Sequence, residues 1–167
     1  MQARKPILIT ISILALLAWL ALTLTQKPAA PSLSLTTLEG QQISLDSLRG
    51  KVVLVNFWAT SCPGCIKEMP QLVETWRQYN KRGLEVIAVA MSYDPPEYVR
   101  NYTRRNALPF SIVLDTDGKA AHAFNQVKLT PTTFLIGKDG HILQQTLGEL
   151  DFVKLHALLE QQLGASD

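Results

Sequence analysis

The sequence predicts an α/β fold in which helices cover a layered sheet. Two observations support this. Short β-branched runs alternate with segments of helical period, and residues 51–57 form an apolar run without alternation, as in a parallel strand covered on both faces. After an initial hairpin the predicted order is β-α-β-α-β-α-β-β-α, which indicates a layered sandwich. With 167 residues, 47% of them hydrophobic, the chain has room for one ordinary domain and a short appendage.

The first predicted elements are a hairpin and the central strand. Residues 33–38 and 41–45 alternate weakly on either side of a turn at Glu39 and Gly40, so we predict a short hairpin within 33–49, at an edge of the sheet. The run at 51–57 is the best candidate for the central strand.

The remaining elements are predicted from the spacing of apolar residues and from the positions of turn-forming residues. Apolar residues recur at helical spacing after residue 65 and the helix stops before Gly83. The later elements are a strand at 84–91, a helix from Pro95 and Pro96 to about Asn106, a strand at 111–114, a short helix at 117–124, strands at 132–136 and 142–147 around a turn at 138–140, and an amphipathic helix at 150–163.

An apolar run near the N-terminus predicts a membrane anchor. Residues 7–24 contain no charge and follow Arg4 and Lys5, and as a helix they would rise about 27 Å, close to the thickness of a bilayer core. We therefore predict a cytoplasmic segment at 1–6, a signal anchor at 7–24, a linker at 25–32 and a domain at 33–167; a cleaved signal peptide is the alternative. The positive residues place the domain on the periplasmic side of the bacterial inner membrane.

The charge distribution argues against nucleic acid as a partner. The formal net charge is +2, and Arg4, Lys5 and Lys27 flank the apolar run, so the rest of the chain is close to neutral. The sequence also lacks a run of like charges that would form a basic arm.

The two cysteines, Cys62 and Cys65, predict redox chemistry. They lie between the central strand and the following helix, where unpaired N–H groups stabilise a thiolate at Cys62. Residues three apart in a helical turn face one side at about 5 to 6 Å, so Cys65 can resolve a mixed disulfide formed at Cys62. A zinc site is disfavoured because the three histidines are not spaced as ligand pairs, and we expect no metal.

These segments resemble the thioredoxin superfamily, and within it the TlpA/ResA-like thiol-disulfide oxidoreductases of AhpC/TSA-redoxin type. The resemblance covers about 33–165 and rests on residues 53–59 before the cysteines, Glu68, Met69 and Pro70 after them, and residues 130–136. It implies a thioredoxin-like three-layer sandwich with an N-terminal hairpin and a central insertion between Met91 and Pro131.

The resemblance also implies site residues. Pro131 matches a cis proline that lies against the disulfide and leaves the Thr130 backbone free for a substrate strand; an ordinary turn proline is the alternative. Trp58, Pro63 and Gly64 complete the expected substrate-binding set.

One departure from thioredoxin concerns the proton acceptor. Asn56 stands where thioredoxin has a buried aspartate, so Glu68, three residues after Cys65, is expected to accept the Cys65 proton. A glutamate favoured only by the helix dipole is the alternative. Ser61 replaces the usual tryptophan before the first cysteine, which either uncovers the disulfide and widens the choice of substrates or leaves a surface that other residues fill.

Several functions stay open at this point. The leading expectation is a reductase of protein disulfides, with apocytochrome c among its candidate substrates and a membrane thiol donor of DsbD/CcdA type; the dithiol is the redox group and no other cofactor is expected. The alternatives are a protein-disulfide oxidant and a copper(I) metallochaperone that adds Met91 or a histidine to the two cysteines. The helix that carries Tyr98 and Tyr102 either borders a substrate groove or is a solvated face.

Overall fold

The computed structural model describes residues 13–17, 19–20 and 27–164. Residues 13–17 and 19–20 are helical. Among the described residues no helix combines the length and the apolar character needed to cross a bilayer. Most of the predicted anchor at 7–24, and all of the predicted segment at 1–6, lie outside the described residues, so the anchor stays a prediction.

The order of strands and helices predicted from the sequence is confirmed, with elements trimmed at their ends. In chain order they are β1 (Ser34–Thr36), β2 (Gln42–Ser44), β3 (Val52–Trp58), α1 (Pro63–Tyr79), β4 (Leu84–Ala90), α2 (Pro96–Arg105), β5 (Ser111–Leu114), α3 (Lys119–Ala123), β6 (Thr132–Ile136), β7 (Ile142–Leu147) and α4 (Phe152–Leu163). Short 3₁₀ turns occupy Leu45–Leu48 and Asn80–Arg82. Gly83, at φ 105°, ends the second turn in a left-handed conformation that favours glycine.

The main sheet has five strands in the order β5-β4-β3-β6-β7. The central strand β3 runs parallel to β4 and antiparallel to β6. Within the described residues, β1 and β2 form a separate two-stranded sheet, and a bridge from Thr37 to Val113 attaches this hairpin beside β5. The predicted position of the hairpin at a sheet edge is therefore confirmed.

Alternate residues of β3 face two apolar clusters. Val52, Leu54 and Trp58 pack with residues of α1, α2 and α4, whereas Val53, Val55 and Phe57 pack with α3 and the hairpin. Every residue of β3 is buried, as the absence of alternation predicted. This is a thioredoxin-like three-layer arrangement, and it brings the C-terminal end of β3 to the start of α1.

The segment between Met91 and Pro131, where an insertion is predicted, contains α2, β5 and the short α3. β5 adds a parallel edge strand beside β4, and α2 returns the chain over the sheet with Val99 fully buried. The loop that leads into α2, at residues 91–95, approaches the start of α1.

Candidate active site

The cysteine pair lies at the N-terminus of α1. Cys62 is the N-cap residue in an extended conformation, and Pro63 occupies the first helical position, where a missing N–H is harmless. The Cys65 N–H donates a hydrogen bond of 3.2 Å to Cys62 Sγ. The two residues form a disulfide with a Cα–Cα distance of 5.3 Å, which confirms the predicted spacing.

The two sulfurs differ in accessibility. Cys65 is fully buried in the cluster between the sheet and α1, while Cys62 is half-buried. Ser61 before it is exposed, so no large side chain at that position covers Cys62. An attacking thiolate from another molecule can approach Cys62 but not Cys65.

Two loops close over the cysteine pair. The Thr130–Pro131 peptide bond is cis, as the resemblance implied. Gly64 lies between Pro131 and the loop after β7: an added Cβ on Gly64 would be 3.6 Å from Pro131 Cδ and 3.3 Å from Glu149 Cγ. Glycine therefore permits the close approach of both loops to the first turn of α1.

Thr130 presents unpaired backbone groups beside this site. Within the described part of the chain its N–H and C=O make no backbone hydrogen bond. Its hydroxyl lies 3.3 Å from the hydroxyl of Tyr93, an exposed residue of the loop before α2. The backbone of Thr130 is thus available to pair with an extended polypeptide.

Glu68 is buried, with 3% of its surface exposed. Its Oε1 accepts from Asn56 Nδ2 at 3.0 Å and its Oε2 accepts from the Leu150 N–H at 2.9 Å. Burial raises the pKa of Glu68 above its ordinary value and the charge of Glu149 adds to the rise, while the two hydrogen bonds oppose it. The alternative of a glutamate favoured only by the helix dipole is wrong, because Glu68 lies beyond the first turn and inside the protein.

Asn56 connects Glu68 on α1 to the neighbouring strand β6. Its Nδ2 also donates to Thr133 Oγ1 at 2.9 Å, so one amide group serves α1 and β6 together. Asn56 Oδ1 is buried and has no hydrogen-bond partner among the described residues. Thr133 was not predicted as a site residue from the sequence. It precedes Phe134 in the strand that follows Pro131, and side chains alternate between the two faces of a strand, so this position could have indicated that Thr133 lies on the face of the sheet opposite to Phe134.

The expectation that Trp58 contacts substrate is wrong in this structure. Trp58 has no exposed surface, and its ring packs against Tyr102 with centroids 5.3 Å apart. It is the last residue of β3 and its side chain points to the face that carries α1 and α2. Trp58 therefore packs inside the protein under the active-site loop. Of the other residues expected to contact substrate, Pro63 is exposed and Gly64 is half-buried.

Helix α2 borders an open depression beside the active-site loop. The depression has a volume of about 540 Å³ and is lined by Thr60, Tyr98, Asn101, Tyr102, Arg105 and Asn106. Tyr98 is 63% exposed there, while Tyr102 covers Trp58. Most residues of this helix are exposed, so both expectations for it, the border of a substrate groove and a solvated face, stay predictions.

No three His, Cys, Asp or Glu side chains lie close enough to hold a metal ion in the described ranges. Met91, named as a third copper ligand, belongs to the apolar cluster on the opposite face of the sheet from Cys65. His156 lies 2.9 Å from the Thr75 hydroxyl, far along α1.

Comparison with known proteins agrees with this geometry. The AhpC/TSA family model matches residues 27–145. The thiol-disulfide oxidoreductase ResA of Bacillus thuringiensis subsp. konkukian is 36% identical over 132 residues, which are 79% of this chain and 75% of that protein.

Solved structures show the same fold. The solution structure of a candidate thioredoxin from Neisseria meningitidis is 42% identical, with a TM-score of 0.77 over 85% of this chain and 94% of that one. A thiol:disulfide interchange protein of the thioredoxin family from Chlorobium tepidum is 28% identical, with a TM-score of 0.76 over 84% and 99%. The chain therefore belongs to the AhpC/TSA family of the thioredoxin superfamily and is a thiol-disulfide oxidoreductase of the ResA-like group.

Proposed function

We propose that this enzyme reduces disulfides of other proteins on the periplasmic side of the bacterial inner membrane, held there by an anchor at residues 7–24. The observation that carries the proposal is the unequal exposure of the two sulfurs: Cys62 is half-buried and Cys65 fully buried behind it. Only one sulfur can meet a substrate, and the other is reserved for releasing it.

The reaction follows from this asymmetry. The Cys62 thiolate attacks one sulfur of a substrate disulfide, so a mixed disulfide forms and the other substrate sulfur leaves as a thiolate that takes a proton from water. Cys65 then gives its proton to Glu68 and attacks Cys62 Sγ, which releases the second substrate thiolate. The substrate disulfide gains two electrons, and the enzyme dithiol is oxidised to the Cys62–Cys65 disulfide.

The helix N-terminus supports the first step. The hydrogen bond from the Cys65 N–H to Cys62 Sγ and the positive end of α1 favour negative charge on that sulfur. The buried Glu68 supports the second step, because the rise in its pKa brings the carboxyl closer to the pH at which a general base works best.

The contacts around Cys62 suit a polypeptide substrate. Free backbone groups at Thr130, beside Pro131, can pair with an extended chain, and Pro63 and Gly64 lie on the exposed side of the first helical turn. We assign apocytochrome c and other exported proteins with paired cysteines as the substrate class, and a membrane thiol protein of DsbD/CcdA type as the electron donor. The dithiol is the redox group, so no additional cofactor is needed.

The reduction potential tests the direction of electron flow. The reduction potential of thioredoxin is about −270 mV and that of the oxidant DsbA is about −120 mV. The potential of a reductase, measured by equilibration with glutathione, should therefore lie below about −150 mV. The second candidate is a protein-disulfide oxidant, and the stabilised thiolate at Cys62 favours it because that interaction strengthens the reduced form. A reduction potential near that of DsbA would contradict the proposal of a reductase and favour a protein-disulfide oxidant.

The substrate is tested by a trap. Cys65→Ala in the full chain should hold the natural partner on Cys62 as a mixed disulfide that mass spectrometry identifies, and Cys62→Ala is the matched control that should hold none. Recovery of the same proteins with both variants, or of none with Cys65→Ala, would contradict a specific reductase. Tight binding of one copper(I) by the reduced chain without any exchange activity would favour the metallochaperone instead.

The membrane anchor needs its own measurement. The full chain should stay with the membrane fraction after alkaline washing, and its C-terminal domain should be digested by protease added to spheroplasts. Release into the periplasm in a shortened form would indicate a cleaved signal peptide.

A further inference from the structure

The loop between β4 and α2 presents an aromatic side chain on a firmly held turn. Tyr93 is the third residue of a turn that is closed by a hydrogen bond from the Asp94 N–H to the Met91 C=O, at 2.9 Å. The Met91 N–H donates to the Trp58 C=O at 3.0 Å. Both carboxylate oxygens of Asp94 accept from Thr60. The backbone on either side of Tyr93 is therefore fixed to the end of β3 and to the loop before the cysteines.

The side chain of Tyr93 is nevertheless 57% exposed. Its hydroxyl lies 3.3 Å from the hydroxyl of Thr130. Tyrosine side chains on a rigid backbone lose little conformational freedom when they bind, and they are common contact points for protein partners. The ring of Tyr93 is thus a preformed contact surface at the edge of the active site.

This ring stands beside the backbone edge that is open to a polypeptide. In the described ranges the N–H and C=O groups of Thr130 have no backbone partner, and the cis Pro131 that follows packs against the first turn of α1. Leu129, the residue before Thr130, is 62% exposed. Two large side chains with apolar surface, Tyr93 and Leu129, therefore lie next to this open edge.

We propose that Tyr93 contacts the substrate and selects disulfides in which a large apolar side chain neighbours the cysteine that Cys62 attacks. The proposal rests on the proposed function, in which an extended substrate segment pairs with the backbone of Thr130. Paired strands lie about 4.8 Å apart, so a side chain of that segment reaches the ring that contacts the Thr130 side chain. The contact removes apolar surface of both groups from water, whereas a glycine neighbour offers no such surface.

The test compares two peptide disulfides that differ only in the residue before the cysteine, leucine in one and glycine in the other. The full chain is used in detergent micelles with Cys65→Ala, so that the reaction stops at the mixed disulfide on Cys62. Rapid-quench mass spectrometry at increasing peptide concentration gives the binding constant and the limiting rate separately. Because both peptides react with the same sulfur, the ratio of their rates cancels any change in the reactivity of Cys62.

We expect the leucine peptide to react about tenfold faster at low concentration, through tighter binding, with limiting rates that agree within about twofold. Tyr93→Ala should reduce this preference to less than about twofold, whereas Tyr93→Phe, which retains the ring, should keep it. Equal rates for the two peptides with unaltered Tyr93, a preference that survives in Tyr93→Ala, or its loss in Tyr93→Phe would each overturn the proposal.

Tyr98 provides the matched control. It is 63% exposed, but it belongs to α2 and lines the depression there together with Thr60 and Arg105. Tyr98→Ala removes an exposed ring of the same kind and should keep the preference for the leucine peptide. An equal loss of preference in Tyr93→Ala and Tyr98→Ala would overturn the assignment to Tyr93.

Failure of this inference is distinguishable from failure of the proposed function. If neither peptide forms a mixed disulfide with Cys62, the proposed function is wrong. If both peptides form it at the same rate, the attack by Cys62 stands and the selection by Tyr93 is overturned.

Discussion

Both carboxylate oxygens of Asp94 accept hydrogen bonds from Thr60: Oδ2 from the backbone N–H and Oδ1 from the hydroxyl, each at 2.6 Å. Asp94 is 4% exposed and lies in the loop between β4 and α2, while Thr60 lies two residues before Cys62. The loop that carries Tyr93 is therefore fastened to the loop that carries the attacking cysteine.

Asp94→Ala should weaken both the fold and the site. It leaves the part-buried N–H of Thr60 without its acceptor, which destabilises the native state by about 1 kcal/mol, measurable by urea unfolding of the oxidised chain. We also expect faster reaction of reduced Cys62 with a bulky thiol reagent, because the loop before it loses its support. Glu97→Ala, an exposed carboxylate on α2, should change neither quantity. Equal stability of the two variants would show that the Asp94–Thr60 pair is not important.

Glu68→Gln should slow the intramolecular release of substrate by about 10²-fold at neutral pH, since a positioned general base contributes about that much. Glu74→Gln, on the exposed side of the same helix, is the matched control. Rapid-quench measurement of the decay of a mixed disulfide on Cys62 gives the rate. A slow step in both variants would point to a general effect on α1 instead of base catalysis.

The pH dependence of that release has a defined sign. The active base is ionised Glu68, and burial raises its pKa above that of an ordinary glutamate. The release rate should therefore begin to fall at a higher pH than an exposed glutamate would give as the pH is lowered. The same profile should lose this inflection in Glu68→Gln. An inflection that persists in the variant would assign the titration to another group.

The ion pair between Arg82 and Glu160 should matter for acid stability. Arg82 makes two hydrogen bonds to Glu160, at 2.9 and 2.6 Å, and lies 5.0 Å above the Tyr79 ring, joining the end of α1 to α4. These contacts lower the pKa of Glu160 to about 2, with the hydrogen bond from Arg82 as the largest cause. Because the pKa of Glu160 is lower in the folded state, this ion pair stabilises the folded protein above the unfolded-state pKa of about 4.3. The stabilisation is lost as the pH falls toward 2.

Arg82→Met should remove this part of the acid transition. Thermal unfolding from neutral to acidic pH should show a smaller loss of stability in Arg82→Met than in the unaltered chain across that window. Arg77→Met, which breaks only the exposed pair between Arg77 and Glu74 within α1, should leave the pH profile as it is. Identical profiles for Arg82→Met and the unaltered chain would contradict the assignment.

Asp115→Ala should destabilise the protein by about 1–2 kcal/mol, the usual effect of losing a helix cap. The buried Asp115 accepts from the Ala120 and Ala121 N–H groups, each at 2.8 Å, and so holds the start of α3 against β5. Thr116→Ala changes an exposed residue of the same turn and is the control. Urea unfolding of both variants measures the difference, and an equal loss in both would contradict a specific cap.

The sequence by itself determined the element order, the central strand and the cysteine pair at the start of α1, because each depends on neighbours within one turn or on a contiguous motif. The cis Pro131 was implied only by the resemblance to the thioredoxin superfamily, and the structure decided it. Only the tertiary structure decided that Trp58 is covered by Tyr102, that Asp94 binds Thr60, and that Asn56 links Glu68 to Thr133. Thr60 and Asp94 are 34 residues apart along the chain, and Asn56 and Thr133 are 77 residues apart. Such contacts arise from strand register and from helix packing over the sheet, which local period does not encode.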